Sequence, residues 1–279
     1  MRARLADEAG FTIVELLTAM VVGLAVLGAA FALVGRASAL QSRTQDRVDA
    51  HQRGRAAMEA MVTELRSGTC VTTADGTPYA PIVPGAGNGD GSDGNRVVFY
   101  ANTAGPNALP QRRELWCDAN AHQIWEDVYQ LQSPASDASG RKGLVVLSPL
   151  PARQSRRLVL DNAYPRDASK PIFTYWSYRL TKTSTTPSYT ASDELAQLPA
   201  PIAATADALR VVQVRMAIRV RPAGVTSTAN NPLDAILVGA AFARSADPVA
   251  ATNPDTVAQL PNLDASGQPI YVGQALSCS

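Results

Sequence analysis

The stretch GFTIVELLTAMVVGLAVLGAAFALVG, residues 10–35, decides the fold of this chain. Its single ionisable side chain is Glu15, and residues 16–35 contain neither a charge nor a proline. Twenty helical residues at 1.5 Å each span about 30 Å, which is the hydrocarbon thickness of a lipid bilayer. A helix satisfies its own backbone hydrogen bonds in lipid. The stretch therefore predicts a transmembrane helix, which we place at about residues 11–35.

A cleavable secretory signal peptide is the closest alternative, because small residues follow the apolar segment at residues 30–39. A buried core helix is a second alternative, although the apolar run is long for one. Two features favour a retained helix over a signal peptide. Glu15 lies inside the apolar stretch, and the helical pattern continues beyond Gly35.

The helical pattern extends well past the apolar segment. The first proline of the chain is Pro78, so no proline interrupts residues 11–66. Ser67-Gly68 then offers a plausible C-terminal stop. The last turns carry an apolar stripe with i, i+3, i+4 and i+7 spacing, formed by Met58, Met61, Val62 and Leu65. We therefore predict one helix over residues 11–66.

The leader MRARLADEAG is followed by Phe11-Thr12-Ile13-Val14-Glu15. A short polar leader ending in Gly, then an aromatic residue and a Glu five positions after the Gly, resembles the class III signal sequence of type IV prepilins and type II secretion pseudopilins. The resemblance implies that residues 1–10 are a leader peptide and that prepilin peptidase cuts between Gly10 and Phe11. It also implies N-methylation of Phe11 by the same enzyme. Glu15 would serve subunit assembly by facing the N-terminal amine of a neighbouring subunit.

Physical chemistry independently predicts that the Glu15 carboxylate has a charged partner. A carboxylate in hydrocarbon is costly unless it is paired or neutralised, although near a helix end it can instead snorkel to the interface. After cleavage, the α-amine of Phe11 would be a cation at the same depth. Pairing the two charges across subunits would lower both desolvation costs and fix a one-subunit axial step.

The character of the sequence changes at residue 67, where clusters of Gly, Pro, Asn, Ser and Asp begin to separate short β-prone runs. We predict an α+β fold, in which the long helix packs its apolar stripe on an antiparallel β-sheet head formed by residues 67–279. Residues 182–208 and 245–275 are expected to be long surface loops. The predicted strands are residues 96–102, 113–118, 123–131, 143–147, 157–161, 172–180, 209–221 and 235–242.

Alternation is clearest in LRVVQVRMAIRVR, residues 209–221. One predicted face is apolar and consists of Val212, Val214, Met216, Ile218 and Val220. The other face is polar and consists of Gln213, Arg215, Arg219 and Arg221. A second one-sided strand is expected to face this one with Ile236, Val238, Ala240 and Phe242. The arginine row lacks interleaved aromatic residues and the net charge is only +1, so we expect solvated arginines with acidic cross-strand neighbours and no nucleic-acid partner.

Three cysteines, Cys70, Cys117 and Cys278, would face an oxidising exterior in the expected orientation, which favours one disulfide and one free thiol. A Cys70–Cys117 bond would tie the helix end to the sheet and close a loop of about 48 residues, worth about 4 kcal/mol. We favour this pairing, with Cys278 as the alternative partner of either residue. A Cys117 nucleophile with His122 as its base is a further reading, but no nearby residue orients that histidine.

Residues 88–95, NGDGSDGN, alternate oxygen-bearing side chains with glycine as calcium loops do. Such a loop needs a bidentate carboxylate at its twelfth position, which here is Phe99. We therefore interpret the segment as a turn leading into the strand predicted at residues 96–102. The two histidines and three cysteines are too dispersed for a zinc site, and GxSxG, Walker A and HExxH patterns are absent. We expect no metal, no cofactor and no enzymatic activity.

The resemblance implies a structural minor pilin, assembled into a type IV pilus at the tip or in a priming complex. A head of about 210 residues resembles the large minor subunits of the PilW or GspJ type. The implied partners are prepilin peptidase, other pilin or pseudopilin subunits, an inner-membrane assembly platform and, before assembly, the lipid bilayer. The implied location is the cytoplasmic membrane, single-pass with the N-terminus inside, and later a pilus or pseudopilus at the cell surface. The alternatives are a type II secretion pseudopilin and a membrane-anchored extracellular binding module.

Overall fold

The structure is a computed structural model of the chain. It describes residues 12–73, 76–85, 91–103, 109–132, 144–147, 149–167, 169–182, 189–223, 234–242 and 257–273. The expected cleavage pair Gly10 and Phe11 lies outside the described residues, as do the rest of the leader and Cys278. The chain divides into two compact units, residues 1–48 and residues 49–279.

One long helix, α1, runs over Ile13–Arg66. At its C-terminal end the Ser67 hydroxyl donates to the Glu64 carbonyl at 2.6 Å, and the Gly68 N–H donates to the Leu65 carbonyl at 3.1 Å. These bonds satisfy carbonyl groups for which the last helical turn has no internal donor. The helix therefore ends where the Ser67-Gly68 pair predicts.

Fourteen strands and one short helix follow α1 in the described parts of the chain. They are β1 (Val71–Thr73), β2 (Pro78–Tyr79), β3 (Arg96–Ala101), β4 (Gln111–Asp118), β5 (Gln123–Gln130), β6 (Leu144–Val145), β7 (Arg153–Leu160), β8 (Ala163–Pro165), β9 (Phe173–Lys182), β10 (Tyr189–Gln197), α2 (Thr205–Ala208), β11 (Gln213–Val220), β12 (Ala235–Phe242), β13 (Ala258–Leu263) and β14 (Pro269–Val272).

The strands form three sheets. A four-stranded sheet has the order β3-β4-β5-β7, and a three-stranded sheet has the order β2-β1-β6. The seven-stranded sheet has the order β12-β11-β9-β14-β13, with β10 paired to β9 and β8 paired to β11. The pairings of these strands are antiparallel except that of β1 with β6, which is parallel. The expected α+β architecture of a long helix on antiparallel sheets is therefore present.

The last turns of α1 form part of the main apolar core. Met58, Met61 and Leu65 are buried there, and Val62 packs against the same cluster. A glycine brings the helix close to two strands, because a Cβ atom on Gly54 would collide with the side chains of Leu237 and Val220. The predicted stripe is therefore the face by which α1 joins the sheets.

The loops predicted at residues 182–208 and 245–275 are wrong. The first contains β10 and α2, and the second contains β13 and β14. Both β10 and β14 pair with β9, the longest strand of the seven-stranded sheet. β10 follows β9 directly in the chain, but its register with β9 shifts between Ala191 and Leu195, which interrupts any regular alternation. β14 pairs with a strand that is distant in sequence, and a local pattern does not carry that information.

The apolar face predicted for β12 is also wrong. Ile236, Val238 and Phe242 are 55%, 60% and 50% exposed, whereas Ala235 and Ala241 are buried. On the inward face α1 leaves no room for a side chain at Gly239, because a Cβ atom there would collide with Met58. Leu237 fits on the same face opposite Gly54, so the fit to the helix, and not hydrophobicity alone, decides which face of this strand is covered.

Candidate functional site

The N-terminal turn of α1 contains Glu15, for which the family resemblance implies a role in subunit assembly. The backbone N–H of Glu15 donates to the Thr12 hydroxyl at 3.2 Å, and the N–H of Leu16 donates to the Thr12 carbonyl at 3.1 Å. Thr12 is therefore the N-cap of α1 and Glu15 its third residue. The spacing Thr-x-x-Glu is that of a capping box, a signal that the sequence reading did not use.

The Glu15 carboxylate makes no ion pair with any described residue. Its side chain is exposed, and a negative charge in the first helical turn is favoured by the helix dipole. Gly10 and Phe11, the other two predicted site residues, lie outside the described part of the chain. The described turn thus presents one exposed carboxylate that a cation from another molecule can approach.

The helix that carries Glu15 is long and apolar enough to cross a membrane. Its large apolar side chains between Ile13 and Leu40 are 51–79% exposed. Water does not favour so large a continuous apolar surface, and such a surface marks an interaction with lipid or protein. Residues 13–40 of α1 therefore require a covering that the described residues do not supply.

Small residues recur along this part of the helix. Gly23, Gly28 and Gly35 have no heavy atom within 4 Å of where a Cβ atom would lie. These glycines are therefore not required by packing among the described residues. Small residues at four-residue spacing allow neighbouring helices to approach closely in lipid.

A group of charged residues lies at the other end of α1, where the helix meets the four-stranded sheet. Arg113 Nη1 lies 2.7 Å from Oε1 of Glu126 and 3.5 Å from Oε2 of Glu64. Burial and then the neighbouring Glu126 raise the pKa of Glu64 to about 7, against the opposing charges of Arg113 and Arg157. Burial would also raise the pKa of Glu126, but hydrogen bonds from Glu64 and Arg157 outweigh it and lower that pKa. No local pattern in the sequence indicates this cluster, because its members come from four separate elements, α1, β4, β5 and β7.

The arginine row of β11 is only partly as predicted. Arg219 and Arg221 pair with Asp234, at 3.3 Å and 3.1 Å, which confirms an acidic neighbour for these two residues. Arg221 is 1% exposed, so the expectation of a solvated side chain is wrong there. Aromatic rings do lie among the arginines: Arg215 stacks over Trp176 and Arg221 stacks over Tyr164, at 4.0 Å and 4.3 Å from the ring centroids. Trp176 lies on β9 and Tyr164 lies on β8. Neither ring belongs to residues 209–221, the stretch in which the arginine row was predicted.

Cys117 is a free thiol, so the favoured Cys70–Cys117 disulfide is wrong. The side chain of Cys117 packs against the main core, whereas Val71, next to Cys70, belongs to a separate apolar cluster. Cys70 is not a free thiol, and the alternative partner Cys278 lies outside the described residues. Position along a strand does not reveal which cluster a side chain joins.

Cys117 and His122 do not have the character of a nucleophile and its base. Burial, and to a lesser degree the charge of Asp118, raise the pKa of the Cys117 thiol to about 11. The His122 ring stacks on Tyr164 with centroids 4.1 Å apart, in the predicted turn between β4 and β5. A thiol needs a lowered pKa, and not a raised one, to act as a nucleophile.

Part of the glycine-rich stretch at residues 88–95 lies outside the described residues. In the described part, Oδ1 of Asp93 accepts hydrogen bonds from the N–H groups of Asn95 and Arg96, at 2.7 Å and 2.8 Å. Asp93 therefore caps a turn into β3, as predicted.

The letters GDGSDG at residues 89–94 also match GxGxxG, a match that the sequence reading missed. They lead into a strand here, whereas the dinucleotide-binding motif opens a helix. The described residues contain no group of three or more His, Cys, Asp and Glu side chains that could hold a metal ion.

Comparison with protein-family models and with curated proteins gave no match to this chain.

Proposed function

We propose that this chain is a prepilin-like assembly subunit, a minor pilin that is cut between Gly10 and Phe11 and inserted into a type IV pilus. The observation that carries the proposal is the uncovered apolar half of α1, which has a single carboxylate, Glu15, in its first turn. The same surface suits lipid before assembly and neighbouring helices afterwards. The family resemblance of residues 10–17 supplies the cleavage site and the methylation of Phe11.

Glu15 is proposed to select the partner helix. Since no described cation lies within 4 Å of its carboxylate, a neighbour's new α-amine would be its first close positive charge. Both groups are costly to bury alone in an apolar environment. The pair would therefore favour one axial step between successive subunits.

The size of the unit of residues 49–279 supports the role of a minor pilin over that of the major, repeating pilin. Three sheets follow the helix, and a head of about 210 residues leaves little room for lateral packing in a repeating lattice. A position at the tip or in a priming complex accommodates it. A type II secretion pseudopilin has the same requirements at residues 10–15 and is the second candidate; which assembly system incorporates the chain distinguishes the two.

The proposed orientation places the N-terminus in the cytoplasm and the unit of residues 49–279 outside. Arg2 and Arg4 precede the apolar segment, while Arg36, Arg43 and Arg47 follow it. The balance of cations alone would favour the opposite orientation, so the proposed one rests on the resemblance. Labelling a cysteine introduced at Ser42 with an impermeant reagent in spheroplasts tests it: labelling from outside supports the proposed orientation, and protection contradicts it.

Co-expression of the full-length chain with a prepilin peptidase tests the function, with intact-mass spectrometry as the readout. We expect loss of residues 1–10 and one added methyl group on Phe11, and neither change in a Gly10→Val variant. An uncut, unmethylated chain would favour the membrane-anchored binding module. Cleavage at a peptide bond within residues 30–39 would identify a secretory signal peptide instead.

A further inference from the structure

Within the described residues, the edge of the seven-stranded sheet at β12 has none of the features that normally protect a sheet edge. Its sequence, AILVGAAF, contains no charge and no proline, and its eight residues pair with β11 without a bulge. Among the described strands, β11 is the only one paired with β12. Exposed edges are usually guarded by charges, prolines or bulges because they can pair with another chain. β7, at one edge of the four-stranded sheet, is guarded in this way by Arg153, Arg156 and Arg157.

We propose that β12 is a docking edge for an extended strand of another protein, one with apolar residues at alternate positions and carboxylates beside them. Backbone hydrogen bonds to a free edge supply affinity in this mode of recognition, and pockets for alternate side chains supply specificity. The inference does not rest on the proposed function, since the unprocessed chain already has this edge.

The outward face of β12 supplies the apolar contacts. Ile236, Val238 and Phe242 lie two or four residues apart on that face and are at least half exposed. A strand added at the edge would place its own alternate side chains about 5 Å from this row. Apolar residues at those positions would cover side chains that the described fold leaves in water.

A groove on the helix side of β12 supplies the second set of contacts. Its volume is about 480 Å³, and its lining consists of His51, Gln52, Arg55, Met58, Glu59, Leu237 and Val238. All of these residues belong to the unit of residues 49–279. Val238 contributes to this lining as well as to the outward row, so a strand added at the edge would contact both surfaces at this residue.

Charge decides which strand fits. Arg55, in the groove, is 79% exposed and contacts Glu59 only through Nε, at 3.1 Å. Its Nη1 and Nη2 atoms make no ion pair with a described residue, so a carboxylate on the inward face of an added strand would find donors there. A second β12 carries no carboxylate to offer Arg55, so an acidic apolar strand of a different protein is the better occupant.

The test uses the full-length chain in detergent micelles and labelled eight-residue peptides of alternating Val and Thr that carry two Glu residues. Fluorescence anisotropy measures binding, and hydrogen exchange reports on the amides of residues 235–242. We expect saturable binding that slows exchange in β12 and loses at least about tenfold in affinity when alternate peptide amides are N-methylated. The matched peptide with Lys in place of Glu should bind about threefold more weakly.

Two variants locate the peptide. Val238→Lys should reduce its affinity at least about tenfold, whereas Leu158→Lys, at an exposed apolar position on the edge strand β7, should leave it unchanged. Arg55→Gln should reduce the preference for Glu over Lys. No saturable binding up to about 1 mM, equal loss in the two lysine variants, or a β12-dependent dimer that the peptide does not displace would each overturn the proposal.

Discussion

Glu64 of α1 and Glu126 of β5 share one nitrogen of Arg157, whose Nη2 lies 2.8 Å from Oε1 of Glu64 and 2.6 Å from Oε2 of Glu126. The second oxygen of Glu64, Oε2, is buried and receives no hydrogen bond from a described residue. Protonation would make this oxygen a donor toward Glu126 and remove the repulsion between the two carboxylates. The end of the helix is therefore held to the sheet best when one of the two acids carries a proton.

This arrangement predicts that stability falls as the pH rises from about 4.5 to 7. The pKa of Glu64 is raised from 4.5 to about 7 in the folded protein, so within that window the folded state binds a proton that the unfolded chain does not. The free energy of unfolding then decreases with pH over the window. A shift of this size corresponds to roughly 3 kcal/mol, and solvent screening at this partly exposed group reduces the expected decrease to about 2 kcal/mol. Urea unfolding of the full-length chain in micelles, followed by tryptophan fluorescence, measures this, because Trp116, Trp125 and Trp176 all lie in the second unit.

The Glu64→Gln variant should remove this slope, because an amide stays neutral at every pH and can still donate to Glu126. Above pH 7 the variant should be more stable than the wild type. Glu59→Gln is the matched control, since Glu59 lies on the same helix with a 69% exposed side chain. If the Glu64→Gln protein keeps the wild-type slope, protonation of Glu64 is not its cause.

Local sequence was sufficient wherever one stretch of chain alone determines the structure. The length of α1, its end at Ser67-Gly68 and the strand β12 all follow from periodicity and stop signals within a few residues. The apolar face of β11 was predicted from alternation, and Met216, Ile218 and Val220 are fully buried there. In each case the residues that show the sequence pattern are the same residues whose structure the pattern predicts.

Contacts between distant elements were not predictable in the same way. The face of β12 that is covered depends on Gly239 meeting Met58, almost two hundred positions earlier in the sequence. The acidic pair of Glu64 and Glu126 depends on α1 reaching the four-stranded sheet. Neither contact leaves a periodic signal in the sequence. The prediction for β12 therefore had the wrong face covered, and the Glu64–Glu126 pair was not predicted.

The close approach at Gly54 predicts a steric effect on stability. Gly54→Ala gains helix propensity but places a methyl group against Val220, which is β-branched and cannot easily turn away. We expect a net loss of about 1–2 kcal/mol in the free energy of unfolding. Gly35→Ala, at a position where a Cβ atom meets nothing within 4 Å, should leave the urea midpoint of the tryptophan transition unchanged. Equal effects of the two changes would contradict the packing account.

The cysteines should separate into one protected thiol and one disulfide. Because the pKa of Cys117 is raised to about 11, only about one thiol in a thousand is ionised at pH 8, and native alkylation should be slow. Non-reducing peptide mapping of protein from an oxidising compartment should show Cys70 linked to Cys278, with Cys117 alkylated only after denaturation. A peptide that links Cys70 to Cys117 would contradict this assignment.

The assembly role of Glu15 predicts a separation of processing from incorporation. Glu15→Ala and Glu15→Gln both remove the carboxylate that would pair with the α-amine of a neighbouring Phe11, while the leader and Gly10 stay intact. We expect normal loss of residues 1–10 by mass spectrometry and at least about tenfold less chain in sheared filaments, since an unpaired amine in an apolar helix bundle is costly. Glu59→Gln should be incorporated normally, because Glu59 lies beyond the uncovered apolar segment. Wild-type amounts of the Glu15 variants in purified filaments would show that this carboxylate does not select the neighbouring subunit.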